Sequence, residues 1–311
     1  MICNNKKVKS KKKSKKNQLG SSLTQLSILT HNVGGQTVET EDGNVFLNPS
    51  RGKIVNNKEI LNTIFSNPHS YYEKVDLICF QEYLQIGEKV GPRQTNLAIL
   101  DKSKSKGIID ISPKLQDRIQ IYPTNYLCNG KQIILVNFHG KIISSTSSFN
   151  QISMCISLLK ELLNLQKQYD NIIISGDFNF DLLDSNYINN SYHEMMNTKK
   201  KGDARLKILD NIDYFKESLE IIINSIRNNF TIVRPTRPTN TWTLNYSGIK
   251  NQTIVDQCLI SNKFRGIKLV EYSLLESYMA DEIKPTRFLV DDFDHAPLKT
   301  VLHFYEPLTL I

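Results

Sequence analysis

Short apolar runs separated by polar, turn-forming segments recur along the chain. Residues 26–33 (LSILTHNV) form the first and end at Gly34-Gly35. Residues 76–80 (DLICF), 96–100, 132–138 (QIILVNF) and 171–175 (NIIIS) form four more. Runs of this length and composition predict buried strands. Further strands are expected at 253–260 (TIVDQCLI), 267–275 and 298–304. Elsewhere apolar residues recur every three or four positions, the period of a helix with one buried face. Ile152, Ile156, Leu159 and Leu163 predict a helix over 149–165. Ile60, Leu61, Ile64 and Phe65 predict another within 56–75, interrupted near Pro68. Residues 185–229 read as polar and then helical over 206–226, and the Gly- and Pro-punctuated stretch 36–55 reads as loop.

Strands and helices of this kind alternate without a repeat period or a low-complexity linker inside 23–306. Residues 23–311 therefore read as one α/β domain of two strand-helix-strand halves. A chain of 311 residues, 40% of them hydrophobic, is long enough to bury a core of that size. No apolar run approaches the roughly 20 residues that span a bilayer. The basic N-terminus lacks the apolar segment of a secretory signal, so an intracellular protein, cytoplasmic or nuclear and not secreted, is expected. A monomer is expected as well.

Cys3, Cys79, Cys128, Cys155 and Cys258 show no CxxC spacing. They suit neither a disulfide framework nor a zinc site, and Cys79, Cys155 and Cys258 read as small core side chains.

The net charge of +8 changes meaning once it is located. Lys6, Lys7, Lys9, Lys11, Lys12, Lys13, Lys15 and Lys16 form a cluster near the start. Removing those eight from the 39 basic residues leaves 31, against 31 acidic ones. The body is formally neutral and the basicity is a tail. A run of like charges without apolar periodicity is expected to be disordered, here over 1–22. Nuclear import, an electrostatic arm for nucleic acid and a patch for anionic membrane all fit it.

Chemistry enters where polar residues interrupt or end the apolar runs. Asn32 ends the first, Glu82 follows DLICF-Gln81, and His139 ends QIILVNF. Asp177 and Asn179 follow NIIIS-Gly176, Asp256 lies inside TIVDQCLI, and Asp294-His295 precede the last strand. Acidic and amide groups are costly to bury unless paired or metal-bound, so their repetition at strand ends suggests one shared rim. Carboxylates with a carboxamide are hard oxygen donors suited to Mg²⁺ or Mn²⁺. Histidines and a spare carboxylate beside such an ion suit hydrolysis of a phosphate ester, whose transition state accumulates negative charge.

In that order, Thr30-His31-Asn32, Gln81-Glu82, Asn137-Phe138-His139, Gly176-Asp177-Phe178-Asn179, Val255-Asp256 and Asp294-His295 resemble the endonuclease/exonuclease/phosphatase (DNase I-like) superfamily. The resemblance spans about 26–305. It implies a four-layered α/β/β/α sandwich of two mixed sheets, with the site at one end. It also implies Glu82 as principal metal ligand with Asn32 beside it, and Asp294 at the metal directly or through water. Asp177 would orient or deprotonate the attacking water, and Asn179 would hold that water or a phosphate oxygen. His295 would contact the scissile phosphate with Asp256 holding its other ring nitrogen, and His139 would be a second donor. Trp242 stands where members often carry an aromatic at the substrate cleft.

Two positions depart from apurinic-site endonucleases: Gly34 replaces their usual acidic residue, and His139 their usual tyrosine. The histidine form is similar to DNases, tyrosyl-DNA phosphodiesterases, deadenylases and phosphoinositide phosphatases. Phe293 replaces the usual Ser or Thr before Asp294. Three readings stay open. They are a nuclease or nucleic-acid phosphodiesterase, a phosphatase or phosphodiesterase of a small phosphate ester or lipid head group, and a non-catalytic scaffold.

Overall fold

The computed structural model describes residues 23–32, 37–39, 45–47, 75–83, 96–103, 108–111, 118–141, 149–197, 211–243, 250–274 and 295–311. Its first elements are strands β1 (Leu23–Asn32), β2 (Thr37–Glu39), β3 (Val45–Leu47), β4 (Leu77–Tyr83), β5 (Asn96–Asp101) and β6 (Ile108–Ile111). Strands β7 (Ile119–Cys128) and β8 (Lys131–His139), helix α1 (Phe149–Gln168) and strand β9 (Ile172–Asp177) follow. Helices α2 (Tyr187–Asn197) and α3 (Ile212–Asn229) lead to β10 (Phe230–Val233), β11 (Asn240–Thr243) and β12 (Lys250–Thr253). The chain closes on β13 (Asp256–Ser261), β14 (Ile267–Leu274) and β15 (Leu298–Leu310).

The apolar runs become the central strands. Hydrogen bonding runs in the order β10-β13-β9-β8-β7-β15-β1-β4-β5-β6, with β14 on the other edge of β15. The pairs β1–β4 and β8–β9 are parallel and the rest antiparallel, so the fold is mixed α/β. The path folds into two facing sheets that β15 connects. Its first part pairs with β1, and its last residues, Thr309 and Leu310, pair with Leu127 and Tyr126 of β7.

Ile28, Leu77, Cys79 and Ile99 from one sheet pack against Ile133, Leu135, Ile173, Cys258 and Ile260 from the other. Helices α1 and α3 cover the outer face of the second sheet. Helix α3 forms because Ile212, Phe215, Leu219, Ile222, Ile223 and Ile226 make one buried stripe at helical spacing. Cys79, Cys155 and Cys258 are buried and free. Desolvation pushes the thiols of Cys155 and Cys258 up to about 12, which suits inert core residues. No helix among the described residues is long and apolar enough to cross a membrane.

Several expectations need correction. The stretch read as loop, 36–55, contains the β2–β3 hairpin. The strand expected at 253–260 is two strands, and Asp256 begins β13 instead of lying inside a longer one. A helix, α2, stands where polar chain was read. Strand β7 was not legible: Pro123 and several polar residues break up its apolar pattern, although alternate residues are buried. The helix expected within 56–75 and the tail 1–22 lie outside the described residues.

Candidate active site

The topology sends the expected residues to one rim. Asn32, His139 and Asp177 are the last residues of β1, β8 and β9. Because β8 and β9 run parallel, His139 and Asp177 pair at the same height. Strand β13 is antiparallel to β9, so its first residue, Asp256, pairs with Asp177. Strand β15 is antiparallel to β1, so His295, just ahead of it, reaches the same end.

The Asp177 carboxylate is the hub. Its Oδ2 accepts a hydrogen bond from Asn32 Nδ2 at 2.9 Å, and its Oδ1 accepts one from the Asn179 backbone N–H at 2.7 Å. Asn179 adopts a left-handed conformation (φ 62°), which asparagine tolerates better than most residues. Its Nδ2 donates to the Gly140 carbonyl at 3.2 Å. Gly176 has no room for a side chain, since a Cβ there would overlap the Phe138 carbonyl of β8. Burial raises the Asp177 pKa to about 6; His295 opposes the rise and Asp256 adds to it, while the bonds from Asn32 and Asn179 lower it.

His139 stands between two carboxylates, its Nε2 3.7 Å from Glu82 Oε1 and 3.8 Å from Asp177 Oδ2. Those distances lie beyond hydrogen-bond range, and the contacts are ion pairs only when the imidazole is protonated. On the far side of Asp177, His295 Nδ1 lies 2.9 Å from Asp256 Oδ2. The other oxygen, Asp256 Oδ1, is buried with no hydrogen-bond partner among the described residues.

Asn32, Glu82, His139, Asp177, Asn179, Asp256 and His295 are thus brought together. Asp294 lies outside the described residues. Trp242 stands on β11 opposite Asn251, with its side chain outside the described part.

Three residues escaped the sequence reading. The Thr239 hydroxyl oxygen accepts the backbone N–H groups of Val255 and Asp256, and its carbonyl accepts that of Ala296. It clamps the backbone on both sides of the His295–Asp256 pair. Arg118 donates from Nη1 to the Gly140 carbonyl at 2.6 Å and to that of His139 at 3.3 Å. Burial lowers its pKa, and the charges of Glu82 and Asp177 oppose that. Gly140 receives both Arg118 and Asn179, and its N–H donates to the Asp177 carbonyl. A polar residue at the end of an apolar run marked the other positions; Thr239 and Arg118 lie in polar surroundings and Gly140 acts through its backbone.

The donors suit a hard divalent cation. Glu82 and Asp177 are buried carboxylates with the Asn32 carboxamide beside them. Among the described residues no group of three or more His, Cys, Asp or Glu stands together as a set that could hold a metal ion. Magnesium is commonly held by one or two carboxylates, with water and substrate oxygens completing its shell.

No family model and no curated protein matches the chain. Among solved structures it is similar to truncated TDP2 from Caenorhabditis elegans, with 10% identity, TM-score 0.43, and 90% of this chain and 98% of that one covered. It is also similar to the Neisseria 3′ phosphatase NExo bound to a product DNA hairpin, with 16% identity, TM-score 0.41, and 90% and 99% coverage. A third is beta toxin from Staphylococcus aureus, with 16% identity, TM-score 0.45, and 88% and 99% coverage. Likenesses this distant say nothing about substrate.

Proposed function

We propose that the protein hydrolyses phosphate esters with a divalent cation, Mg²⁺ or Mn²⁺, and that its substrate is nucleic acid. The observation that carries this reading is the Asp177 carboxylate at the centre of the rim. Asn32 and the Asn179 backbone hold it, and His139 and the His295–Asp256 pair flank it.

In this reading Asp177 orients the attacking water and takes its proton, and Asn179 holds that water or a phosphate oxygen. His295 faces the scissile phosphate and stabilises the charge that builds in the transition state. Asp256 fixes its ring orientation and favours the charged imidazolium. His139 is a second donor to the phosphate. Glu82, Asn32 and Asp294 would hold the cation, which when bound polarises a phosphoryl oxygen. Trp242 borders the substrate.

Nucleic acid is favoured by cations near the rim. Arg118 and Lys141 flank the His139–Gly140 backbone, and Arg237 lies on the segment leading to Thr239, next to Arg234, which is paired with Asp181 at 3.2 Å. The Lys-rich segment 6–16 adds a further electrostatic arm. A lipid head group or another small phosphate ester is the second reading, favoured by the formal neutrality of the body.

The test is hydrolysis of plasmid DNA, RNA, tyrosyl-DNA and inositol phosphates with Mg²⁺ and with EDTA. Mg²⁺-dependent cleavage of a nucleic-acid substrate is expected. Turnover confined to inositol phosphates would select the second reading. Full turnover in EDTA would remove the cation from the mechanism, and no turnover on any substrate would leave a scaffold.

A further inference from the structure

Strand β4 is irregular where it delivers Glu82. Phe80 pairs with Ala98, yet Tyr83 pairs with Asn96, so β4 carries one residue more than β5 across this step. Glu82 absorbs the excess with φ of 54°. A left-handed conformation is unfavourable for a non-glycine residue and persists only where its surroundings impose it. The irregularity has a geometric effect. Leu77 and Cys79 face the opposite sheet, and so does Gln81, whose Nε2 donates to Asn137 Oδ1 and Thr30 Oγ1. In a regular strand Glu82 would therefore point the other way. The bulge turns it toward the rim, beside His139 of the opposite sheet.

The imposing group is on that opposite sheet. Asn137 of β8 is fully buried. Its Nδ2 donates to the Phe80 carbonyl at 2.9 Å and the Ala98 carbonyl at 3.1 Å, the last regular pair before the extra residue. Its Oδ1 accepts from Gln81 Nε2 at 2.7 Å, and Gln120 Oε1 lies 3.4 Å from Nδ2. One amide thus grips both strands at the base of the bulge and the neighbour of the strained residue. A buried amide with its donors and acceptor engaged is rigid, because breaking any of these bonds leaves a polar group unpaired in a low dielectric. On β8, Asn137 and His139 leave the strand on the same face, so one strand supplies both the histidine and the fixing of Glu82.

We propose that Asn137 is a positioning residue for Glu82: it fixes the bulge that turns this carboxylate into the site, and so sets the affinity for a divalent cation. The affinity part rests on Glu82 being the cation's ligand; the bulge part does not.

The experiment compares wild type, Asn137→Leu, Gln81→Met and a core control, Leu135→Val, in the full chain. Leu135 is buried on the same strand and packs in the inter-sheet core. Mn²⁺ binding is measured by titration calorimetry, and amide hydrogen exchange at residues 81–83 in metal-free protein. Outer partners of metal ligands typically change affinity about 10- to 100-fold. Asn137→Leu is expected to weaken Mn²⁺ binding about tenfold or more and to speed exchange at 81–83. Gln81→Met should do both to a smaller degree, and Leu135→Val neither. If Asn137→Leu does not fold, Gln81→Met decides alone. Wild-type affinity and exchange in the Asn137 and Gln81 variants overturn the proposal, as does an equal loss in Leu135→Val. If wild type binds no Mn²⁺, the reading of Glu82 as a ligand falls, and exchange alone decides whether Asn137 holds the bulge.

Discussion

His295 and Asp256, 39 positions apart in sequence, meet with Nδ1 2.9 Å from Oδ2 in a buried pair beside Asp177. Thr239 bonds the backbone of Asp256 and of Ala296, so the two segments are held in one frame. Asp256 engages one ring nitrogen, and the proposed mechanism uses the other.

Asp256→Asn tests that arrangement. The amide keeps the shape but loses the charge that favours a protonated ring. A fall in kcat of about 10²-fold or more is expected, by comparison with the loss of one transition-state donor. Folding should hold, because the amide keeps the side chain's shape and Asp256 Oδ1 makes no hydrogen bond among the described residues that the change would break. Near-normal kcat in a folded variant would remove Asp256 from the reaction.

If the rim binds phosphate as proposed, its two sides should act as a unit. Asp177→Asn and His295→Ala are each expected to lower kcat about 10²–10³-fold. The double variant should lose much less than the product of the two factors, since residues that act in one step are non-additive. Rates, thermal midpoints and substrate affinities for all four proteins check this. Fully multiplicative losses would mean that the two residues serve separate steps.

Asp177 also predicts how stability depends on pH in EDTA. Its folded pKa is about 6 against an ordinary 3.8, so between these values the native state binds more protons than the unfolded chain. Stability from this group is therefore highest below the lower value and falls as pH rises through the window, levelling above about 6. Asp177→Asn removes the penalty, and the metal-free variant should be more stable than wild type at pH 7 by about 1–3 kcal/mol. Denaturant unfolding at pH 4 and pH 7 measures the difference. A wild type whose stability rises across that window relative to the variant would contradict the burial argument.

Deleting residues 1–22 should leave the thermal midpoint of the remainder unchanged. It should also flatten the salt dependence of nucleic-acid binding, because the eight clustered lysines are lost. Binding isotherms at several salt concentrations give the slope. An unaltered slope would show that the tail takes no part in binding.

The sequence by itself determined which polar residues end apolar runs and which segments carry them. Asn32, His139 and Asp177 stood out because a polar group at the end of an apolar run is costly unless it has work to do, and all three do end strands. Strand and helix periodicity likewise marked the central buried strands and the α1 stripe, while the sandwich was implied only by the family resemblance. Tertiary structure alone decided how these groups meet. Asp256 faces Asp177 because β13 runs antiparallel to β9, a pairing between distant segments that no local pattern encodes. Glu82 faces the site because of one extra residue in β4 and an amide on the opposite sheet; alternation by itself would have sent it the other way. Thr239 and Arg118 were silent for the same reason. Their roles lie in hydrogen bonds to backbone groups of other elements, and such bonds leave no hydrophobic contrast in the sequence around them.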